Sequence, residues 1–360
     1  KRASFAHRMR PACAGSSSKP AVGPARILEQ EGESLVSILV VGSLALDSIQ
    51  TPFGKVKDAL GGSAVYFSAA ASLFDRVNVV GVVGQDFPPE HIELLRARNV
   101  DLSGLQVAEG KTFRWSGRYD YDMNTAQTLD TQLNVFATFH PTLPESYKNA
   151  EYVFLANIDP ELQIEVLQQV DRPKLVVLDT MNYWIDYKRD ALTEAFRLAD
   201  VIIINEAETK QFAKTFSLIR AARKILELGP SVLVIKKGEY GAAMFANGEN
   251  PISSNFFIPA YPLEKIQDPT GAGDSFAGGF MGYLARSGAI TIGAMKRAIV
   301  HGSVVASFVV EDFSVNRLKT LEPSEIAARY EEFKHFTHFE HFSDEMRPTG
   351  QVWERLAVRG

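Results

Sequence analysis

The sequence predicts an α/β protein with a doubly wound, mostly parallel sheet between two layers of helices. Short, continuous apolar runs alternate with amphipathic segments from Val36 onwards, which is typical of βαβ units. No internal repeat or low-complexity tract interrupts this order, so we expect one such domain. Two segments, 48–60 and 113–136, instead alternate polar and apolar residues, which favours a small antiparallel sheet with one wet face.

Each predicted element follows from its residue pattern. Six runs rich in Val, Ile and Leu are short enough to be buried strands, and the longer segments between them have the spacing of helices. The strands are predicted at 38–41, 77–83, 152–155, 175–178, 201–204 and 232–235. The helices are predicted at 63–74, 90–98, 161–170, 191–198, 217–228, 272–286, 292–310 and 323–336.

The two alternating segments are interpreted as a lid over the site. A cover of this kind would exclude water from a site beneath it. The simpler alternative is a decorated edge of the main sheet. Arg114, Trp115 and Arg118 on the second segment are candidates for substrate contact, and none of them is expected to be essential by itself.

Composition excludes several classes of protein. The 360 residues are 46% hydrophobic and 22% charged, which is ordinary for a globular protein. The net charge of −5 argues against a nucleic-acid-binding surface, and no apolar run approaches the length of a membrane span. Cys13 is the single cysteine, so an internal disulfide is impossible. We therefore expect a cytoplasmic protein.

The chain divides into three parts. Residues 1–34 are basic and rich in Ser, Ala, Gly and Pro, with no acid before Glu29. They form a disordered extension or part of an organelle-targeting sequence. Residues 35–345 form the catalytic domain, with its lid from about 48–60 and 112–136, and residues 346–360 form a C-terminal tail.

The run Asp268-Pro269-Thr270-Gly271-Ala272-Gly273-Asp274 precedes an apolar, small-residue helix. A glycine-rich turn that opens a helix leaves backbone N–H groups unpaired at the positive end of the helix dipole, and such a pocket suits a phosphate. Asp274 would repel a resting phosphate unless it has a chemical task. Taking the proton from an attacking hydroxyl would be such a task. The run therefore predicts phosphoryl transfer to an alcohol, although a glycine-rich helix start with a dipole-complementing acid is the simpler alternative.

This run resembles the carboxy-terminal signature of the PfkB family of carbohydrate kinases. Every position of the signature is filled from Asp268 to Asp274, and the small pair Gly278-Gly279 also matches. The resemblance implies a ribokinase-like, three-layer α/β/α fold with a small β lid. It also implies ATP and Mg²⁺ as cofactors and catalysis by Asp274 with the backbone of Gly271, Ala272 and Gly273.

The resemblance also implies an acceptor site near the first strand. Asp47 corresponds to the aspartate that binds substrate hydroxyls, and Gly61-Gly62-Ser63 and Tyr66 correspond to the amino-terminal motif. Ser63 is expected to cap the following helix. The chain departs from the family at Tyr66 and Ala45, where amide side chains are usual, and this change favours a different acceptor.

Nucleotide and metal residues are likewise implied. Asn205 and Glu208 match an element near magnesium, which prefers oxygen ligands and keeps several waters, and they also match a capped helix start. Asp268 is the candidate side chain for a monovalent cation such as K⁺. The residues implied for the nucleotide are Asn205, Lys237, Gly238, Gly241, Thr270, Gly273 and His301.

The sequence thus predicts ATP-dependent phosphorylation of a primary alcohol on a sugar or sugar-like substrate. A nucleoside kinase is the first alternative, because Tyr66 and Phe67 could stack on a base or could belong to the helix core. A non-catalytic regulatory protein is the second. Besides its small-molecule substrate, the expected partner is a second copy of the chain, paired through lid strands.

Overall fold

The alternation of strands and helices is present in the computed structural model, which describes residues 37–247 and 254–338. The strands are β1 Ile38–Val41, β2 Ala45–Thr51, β3 Gly54–Gly61, β4 Val77–Gly84, β5 Val100–Ala108, β6 Phe113–Tyr119, β7 Ala126–Gln132, β8 Tyr152–Leu155, β9 Leu175–Asp179, β10 Val201–Asn205, β11 Val232–Lys236, β12 Ala242–Ala246 and β13 Phe256–Ile258. The helices are α1 Ser63–Ala71, α2 Pro89–Ala97, α3 Pro160–Gln169, α4 Asn182–Tyr187, α5 Arg189–Leu198, α6 Glu206–Ala213, α7 Leu218–Leu226, α8 Ala272–Ser287, α9 Ile292–Val309, α10 Asn316–Lys319 and α11 Pro323–Thr337.

The main sheet has nine strands in the order β13-β12-β11-β10-β9-β8-β1-β4-β5. The pairs from β11 to β5 are parallel, and β12 and β13 add antiparallel strands at one edge. The chain builds outward from β1 in one direction through β4 and β5, and then in the other through β8 to β11. Since ligands of open α/β sheets bind beyond the carboxyl ends of the strands where the order reverses, the topology points to the carboxyl edge beside β1.

The two faces of the sheet bury two separate cores. Along β1, Ile38 and Val40 belong to one core, whereas Leu39 and Val41 belong to the other. Helices α1, α8, α9 and α11 cover the first face, and α3, α5, α6 and α7 cover the second. Because successive side chains of a strand point to opposite faces, uninterrupted apolar strands require both layers.

The lid is a four-stranded sheet in the order β3-β2-β6-β7. It is fastened to the domain through Arg114, which donates to Asp58 of the lid at 2.6 Å and to Asp86 at 2.8 Å. Asp86 follows β4 and also accepts hydrogen bonds from the backbone and hydroxyl of Thr112 at 2.7 Å. The two ion pairs of Arg114 therefore anchor the lid. Asp86 joins the lid to the core.

Several elements differ from the sequence prediction. Strand β5 was not predicted because polar Asp101, Ser103 and Gln106 interrupt its apolar residues, as an edge position allows. Strands β12 and β13 were also missed, and α1 ends at Ala71 rather than at residue 74. The predicted extension 1–34 and tail 346–360 lie outside the described residues.

Helix α9 is long and apolar enough, by length and composition, to cross a membrane. In the fold it packs against α8, and residues such as Ala298, Ile299 and Val305 are fully buried. Its apolar character is thus that of a core helix.

Helices α1 and α8 approach closely through small residues. A Cβ added at Gly278 would lie 2.5 Å from the carbonyl oxygen of Phe67 and 2.7 Å from Cβ of Ala70. This contact holds the start of α8 against α1, and it therefore positions the Gly271–Asp274 turn relative to the Gly61-Gly62 turn.

We expect Gly278→Ala to lower the free energy of unfolding by about 1–3 kcal/mol, because the added methyl overpacks this crossing. Gly293→Ala is the matched control, since Gly293 is an exposed residue of α9 whose Cβ would meet nothing closer than 3.7 Å. The control should gain about 0.5–1 kcal/mol from helix propensity. Urea unfolding, monitored by circular dichroism, measures the free energy of unfolding of both variants. Stabilisation by both substitutions would contradict the close packing of α1 and α8.

Candidate active site

The turn at the start of α8 forms an amide-lined cup. Gly271 is the N-cap residue with a φ of 75°, a left-handed conformation that favours glycine, and no side chain caps the helix. The amides of Ala272 and Ser275 bond to backbone carbonyls. Among the described residues, the amides of Gly271, Gly273 and Asp274 have no hydrogen-bond partner. Three donors at the positive end of a helix are thus available to an anion.

Asp274 lies half-buried in this cup. Burial and the nearby charge of Asp179 raise the pKa of Asp274 to about 7, while Lys236 acts to lower it. A carboxyl group with a pKa near neutrality can both hold and release a proton at physiological pH, as a general base must.

Asp47, which the sequence predicts to bind the acceptor, lies on β2. Its side chain is 4% exposed, and burial together with Asp268 and Asp274 raises its pKa to about 7 against the opposing hydrogen bond from Gly62. A Cβ at Gly61 would lie 1.9 Å from Oδ2 of Asp47, and one at Gly62 would lie 2.5 Å from the Ser43 carbonyl. The two glycines therefore allow Asp47 and the Ser43 backbone to pack directly against this turn.

The prediction that Ser63 caps α1 is wrong. Gly62 is the N-cap residue, with a φ of 97° and no side-chain cap bond. The Ser63 hydroxyl instead accepts from the Ser43 amide at 3.2 Å, and the Ser43 hydroxyl accepts from the Ser63 amide at 3.0 Å. This reciprocal pair holds the β1 loop against the start of α1, so Ser63 fastens the two turns together.

Tyr66 lies between Asp47 and the cup at the start of α8. Its ring packs on Gly271, where a Cβ would lie 2.2 Å from ring carbons. The side chain is 1% exposed, and its hydroxyl has no hydrogen-bond partner in the described structure. Burial, followed by the charges of Asp47 and Asp268, raises the pKa of Tyr66, so the phenol is a neutral donor. Phe67 stacks on Phe154 with ring centroids 4.2 Å apart and belongs to the core, which removes it as a stacking surface for a base.

Asn205 and Glu208 form a capping box at the start of α6. Oδ1 of Asn205 accepts from the Glu208 amide at 2.8 Å, and Oε2 of Glu208 accepts from the Asn205 amide at 3.1 Å. Burial raises the pKa of Glu208 to about 7, with Lys236 acting against it. The helix-capping role that the sequence allowed for Asn205 and Glu208 is therefore present. The other carboxylate oxygen of Glu208, Oε1, takes no part in the capping box.

Sequence reasoning missed Asp179 and Lys236. Nζ of Lys236 donates to Oδ2 of Asp179 at 2.7 Å, with the two side chains 19% and 4% exposed. A Cβ at Gly273 would lie 3.0 Å from Nζ, so this ion pair borders the cup. The available signal was that each is the polar residue that ends an apolar strand, at the edge where ligands bind.

The predicted nucleotide loop is a tight turn. Gly238 and Gly241 have φ values of 57° and 88°, and the Lys237 amide donates to the Gly241 carbonyl at 2.8 Å. The lid reaches this loop, since Nδ2 of Asn124 donates to Glu239 at 3.1 Å. Two predicted site regions are thus joined by a contact that the sequence did not reveal.

Three remaining predicted residues have different surroundings. Thr270 donates its hydroxyl to the Tyr119 hydroxyl of the lid at 3.2 Å. Asp268 is fully buried and accepts from the amides of Thr270 at 2.9 Å and Ser314 at 3.4 Å. His301 stacks between Tyr283 and Tyr330, at centroid distances of 4.5 and 4.6 Å, and burial lowers its pKa to about 4. His301 therefore belongs to an aromatic stack on α9.

Comparison with known proteins identifies the family and the fold. The model of the pfkB family of carbohydrate kinases matches residues 37–320. A cytidine kinase of Thermococcus kodakarensis is 28% identical over 257 residues, which cover 70% of this chain and 90% of that protein. The structure of the Methanocaldococcus jannaschii nucleoside kinase, an archaeal member of the ribokinase family, superposes with a TM-score of 0.65 at 22% identity and covers 84% of this chain and 100% of that one.

A second fold neighbour is a putative ribokinase II of E. coli in complex with ATP and Mg²⁺, which has a TM-score of 0.67 and 18% identity and covers 83% of this chain and 100% of that one. These likenesses confirm the ribokinase-like fold, and the family match covers most of the chain. The chain belongs to the pfkB family of carbohydrate kinases and is a kinase of that family.

Proposed function

We propose that this kinase transfers the γ-phosphate of ATP to a primary alcohol of a sugar or a nucleoside, with Asp274 as the general base. The observation that carries the proposal is the position of Asp274 between two groups of residues. The turn that carries Asp274 packs on the Tyr66 ring at Gly271 and lies beside Nζ of Lys236 at Gly273, and the charge of Asp274 is among the causes that raise the pKa of Asp47. One carboxylate is therefore near both the groups suited to an alcohol and those suited to a phosphate.

In the proposed reaction, Asp47 accepts hydrogen bonds from acceptor hydroxyls and orients the primary alcohol. Asp274 takes the proton of that alcohol. The alcohol oxygen forms a bond to the γ-phosphorus as the bond between that phosphorus and the ADP oxygen breaks. The free amides of Gly271, Gly273 and Asp274 stabilise the charge on the transferring group. Ala272 contributes backbone shape, because its amide already bonds to Pro269.

The described residues fit a magnesium ion held mainly by water and phosphate oxygens. No group of three or more His, Cys, Asp or Glu side chains that could hold a metal occurs in the described ranges. Mg²⁺ keeps several of its waters in such sites, so Asn205 and the free oxygen of Glu208 would hold it through water. When bound, the ion neutralises charge on the phosphates.

Asp268 is retained as the proposed side chain for a monovalent cation. Its carboxylate joins the loop before α8 to the segment around Ser314, and carboxylate oxygens are ligands suited to such an ion. Nucleotide contacts are proposed for the residues that the sequence predicted, which are Asn205, Lys237, Gly238, Gly241, Thr270, Gly273 and His301.

The acceptor class is the open part of the proposal. Ala45 and Tyr66 replace the amides suited to a free sugar, and the relatives described above include a cytidine kinase and a nucleoside kinase. These two facts favour a nucleoside, whereas the family as a whole favours a carbohydrate. A homodimer through the exposed lid edge β7 remains a proposal, as does a cytoplasmic location.

Magnesium-dependent ADP release should occur with at least one member of a panel of nucleosides and free sugars. Cytidine and ribose are the first pair to compare, because they separate the two acceptor classes. Coupled measurement of ADP gives kcat/KM for each compound. Bound ATP with no turnover on any acceptor would favour the non-catalytic alternative.

Asp274→Asn should lower kcat by at least about 10²-fold, since a positioned base contributes about that much or more. The amides of the cup remain, so ATP affinity should change little, as isothermal titration calorimetry can measure. Loss of both turnover and ATP binding would instead indicate a structural role for Asp274.

The pH dependence of kcat/KM should show an acidic limb near the pKa of Asp274, which is raised to about 7. Only the ionised carboxylate accepts a proton, so the rate should fall about tenfold per unit as pH drops below that value. The residual rate of Asp274→Asn should lack this limb. A wild-type rate that is constant from pH 5.5 to 8 would contradict the assignment of the base.

A further inference from the structure

Lys236 extends across the carboxyl edge of the sheet. It ends β11, where it pairs in register with Asn205 of β10, and β9 is the next strand along. Its ammonium nevertheless reaches Asp179 at the end of β9, at 2.7 Å. The side chain therefore passes over the end of the intervening strand and delivers its charge into the cleft.

The ammonium lies beside the cup. The position of a Cβ at Gly273 is 3.0 Å from Nζ, and the Gly273 amide has no partner among the described residues. A cation at the positive end of a helix dipole is unfavourable unless an anion binds beside both positive groups. Although burial acts to lower the pKa of Lys236, the charges of Asp179, Glu208 and Asp274 raise it, so the amine remains charged.

We propose that Lys236 is a catalytic residue whose ammonium binds an oxygen of the phosphoryl group during its transfer. This inference rests on the proposed phosphotransfer at Asp274. The ammonium shares its donors between Asp179 and the phosphoryl oxygen and keeps all of its protons. Asp274 takes the single proton released by the alcohol, and the bond between phosphorus and the ADP oxygen breaks with its electron pair on ADP.

The competing explanation is an ion pair that only holds strand ends together. A second ion pair of the same length provides a matched control at the opposite end of the sheet. Nζ of Lys174 lies 2.7 Å from Oε1 of Glu151, just before β9 and β8 begin. Lys174→Met removes an ion pair without touching the cleft.

The first experiment compares Lys236→Met with Lys174→Met. For Lys236→Met, kcat should fall about 10²–10³-fold, the typical effect of removing one donor to transition-state charge. ATP affinity should weaken more than ADP affinity, because the lost contact is to the transferring group. Lys174→Met should retain the wild-type values. Equal effects of the two substitutions would overturn the proposal.

A second measurement separates contact from an indirect effect on Asp274. Without Lys236, the charge of Asp179 is left unpaired and raises the pKa of Asp274 further. If this were the only effect, Lys236→Met would recover wild-type turnover at pH 9, where Asp274 is ionised, and the proposal would be overturned. A loss that persists at pH 9, and in Lys236→Met combined with Asp179→Asn, supports direct contact.

Chemical restoration guards against a variant that simply misfolds. Cys13 is the only cysteine in the chain, so Cys13→Ser combined with Lys236→Cys has one thiol. Alkylation by 2-bromoethylamine converts that thiol into a lysine analogue with the same charge. Activity should rise at least about tenfold on alkylation. Alkylated protein that stays as inactive as the unmodified thiol form, although folded by circular dichroism, would count against Lys236.

Failure of this inference is distinguishable from failure of the proposed function. If Asp274→Asn is inactive and Lys236→Met behaves like Lys174→Met, only the role of Lys236 is wrong. If Asp274→Asn retains turnover, the base assignment itself is wrong and the inference falls with it.

Discussion

The cleft is organised by the burial of several carboxylates around one ammonium. Burial raises the pKa of Asp47, Asp274 and Glu208 to about 7, and Asp179 is held by Lys236. Removing a carboxylate from water is costly unless an opposite charge or hydrogen-bond donors replace the water. Lys236 acts to lower the pKa of Asp274 and of Glu208, so its position favours the ionised form of these two acids, and in the proposed reaction the ionised form of Asp274 is the one that accepts the proton.

This arrangement lowers stability for the sake of chemistry. A carboxyl group whose pKa is about 7 in the folded state and 3.8 in its unperturbed state binds more protons when folded between those values. Folding stability contributed by that group is present at low pH and is lost as pH rises through the folded pKa. At neutral pH the buried acids thus oppose folding, and the cost is offset by the two apolar cores on either face of the sheet.

Sequence reasoning found the parts of the site that lie in continuous runs. Asp268 to Asp274 and Gly61-Gly62-Ser63 each place a turn and a helix start within a few residues, so local rules describe them. Asp179 and Lys236 lie 57 residues apart and become neighbours only once the strand order is known. Lys237 drew attention as the lysine next to the glycines, but it lies in the turn after β11, and Lys236, the last residue of that strand, is the one that reaches the cup. Edge strands such as β5 were not predicted because they contain polar residues, which an edge position allows to contact water.

Tyr66 leaves an unpaired hydrogen-bond donor beside the site. Its buried phenol has no hydrogen-bond partner in the described structure, and an unpaired buried hydroxyl costs about 1–3 kcal/mol. The unpaired amides of the cup lie beside the ring of Tyr66, because this ring packs directly on Gly271. Donors without partners therefore border Asp274 both where an alcohol would bind and where a phosphate would bind. Since both sets need oxygen acceptors and lie beside one half-buried carboxylate, the proposed reaction would satisfy them best with both substrates bound at the same time.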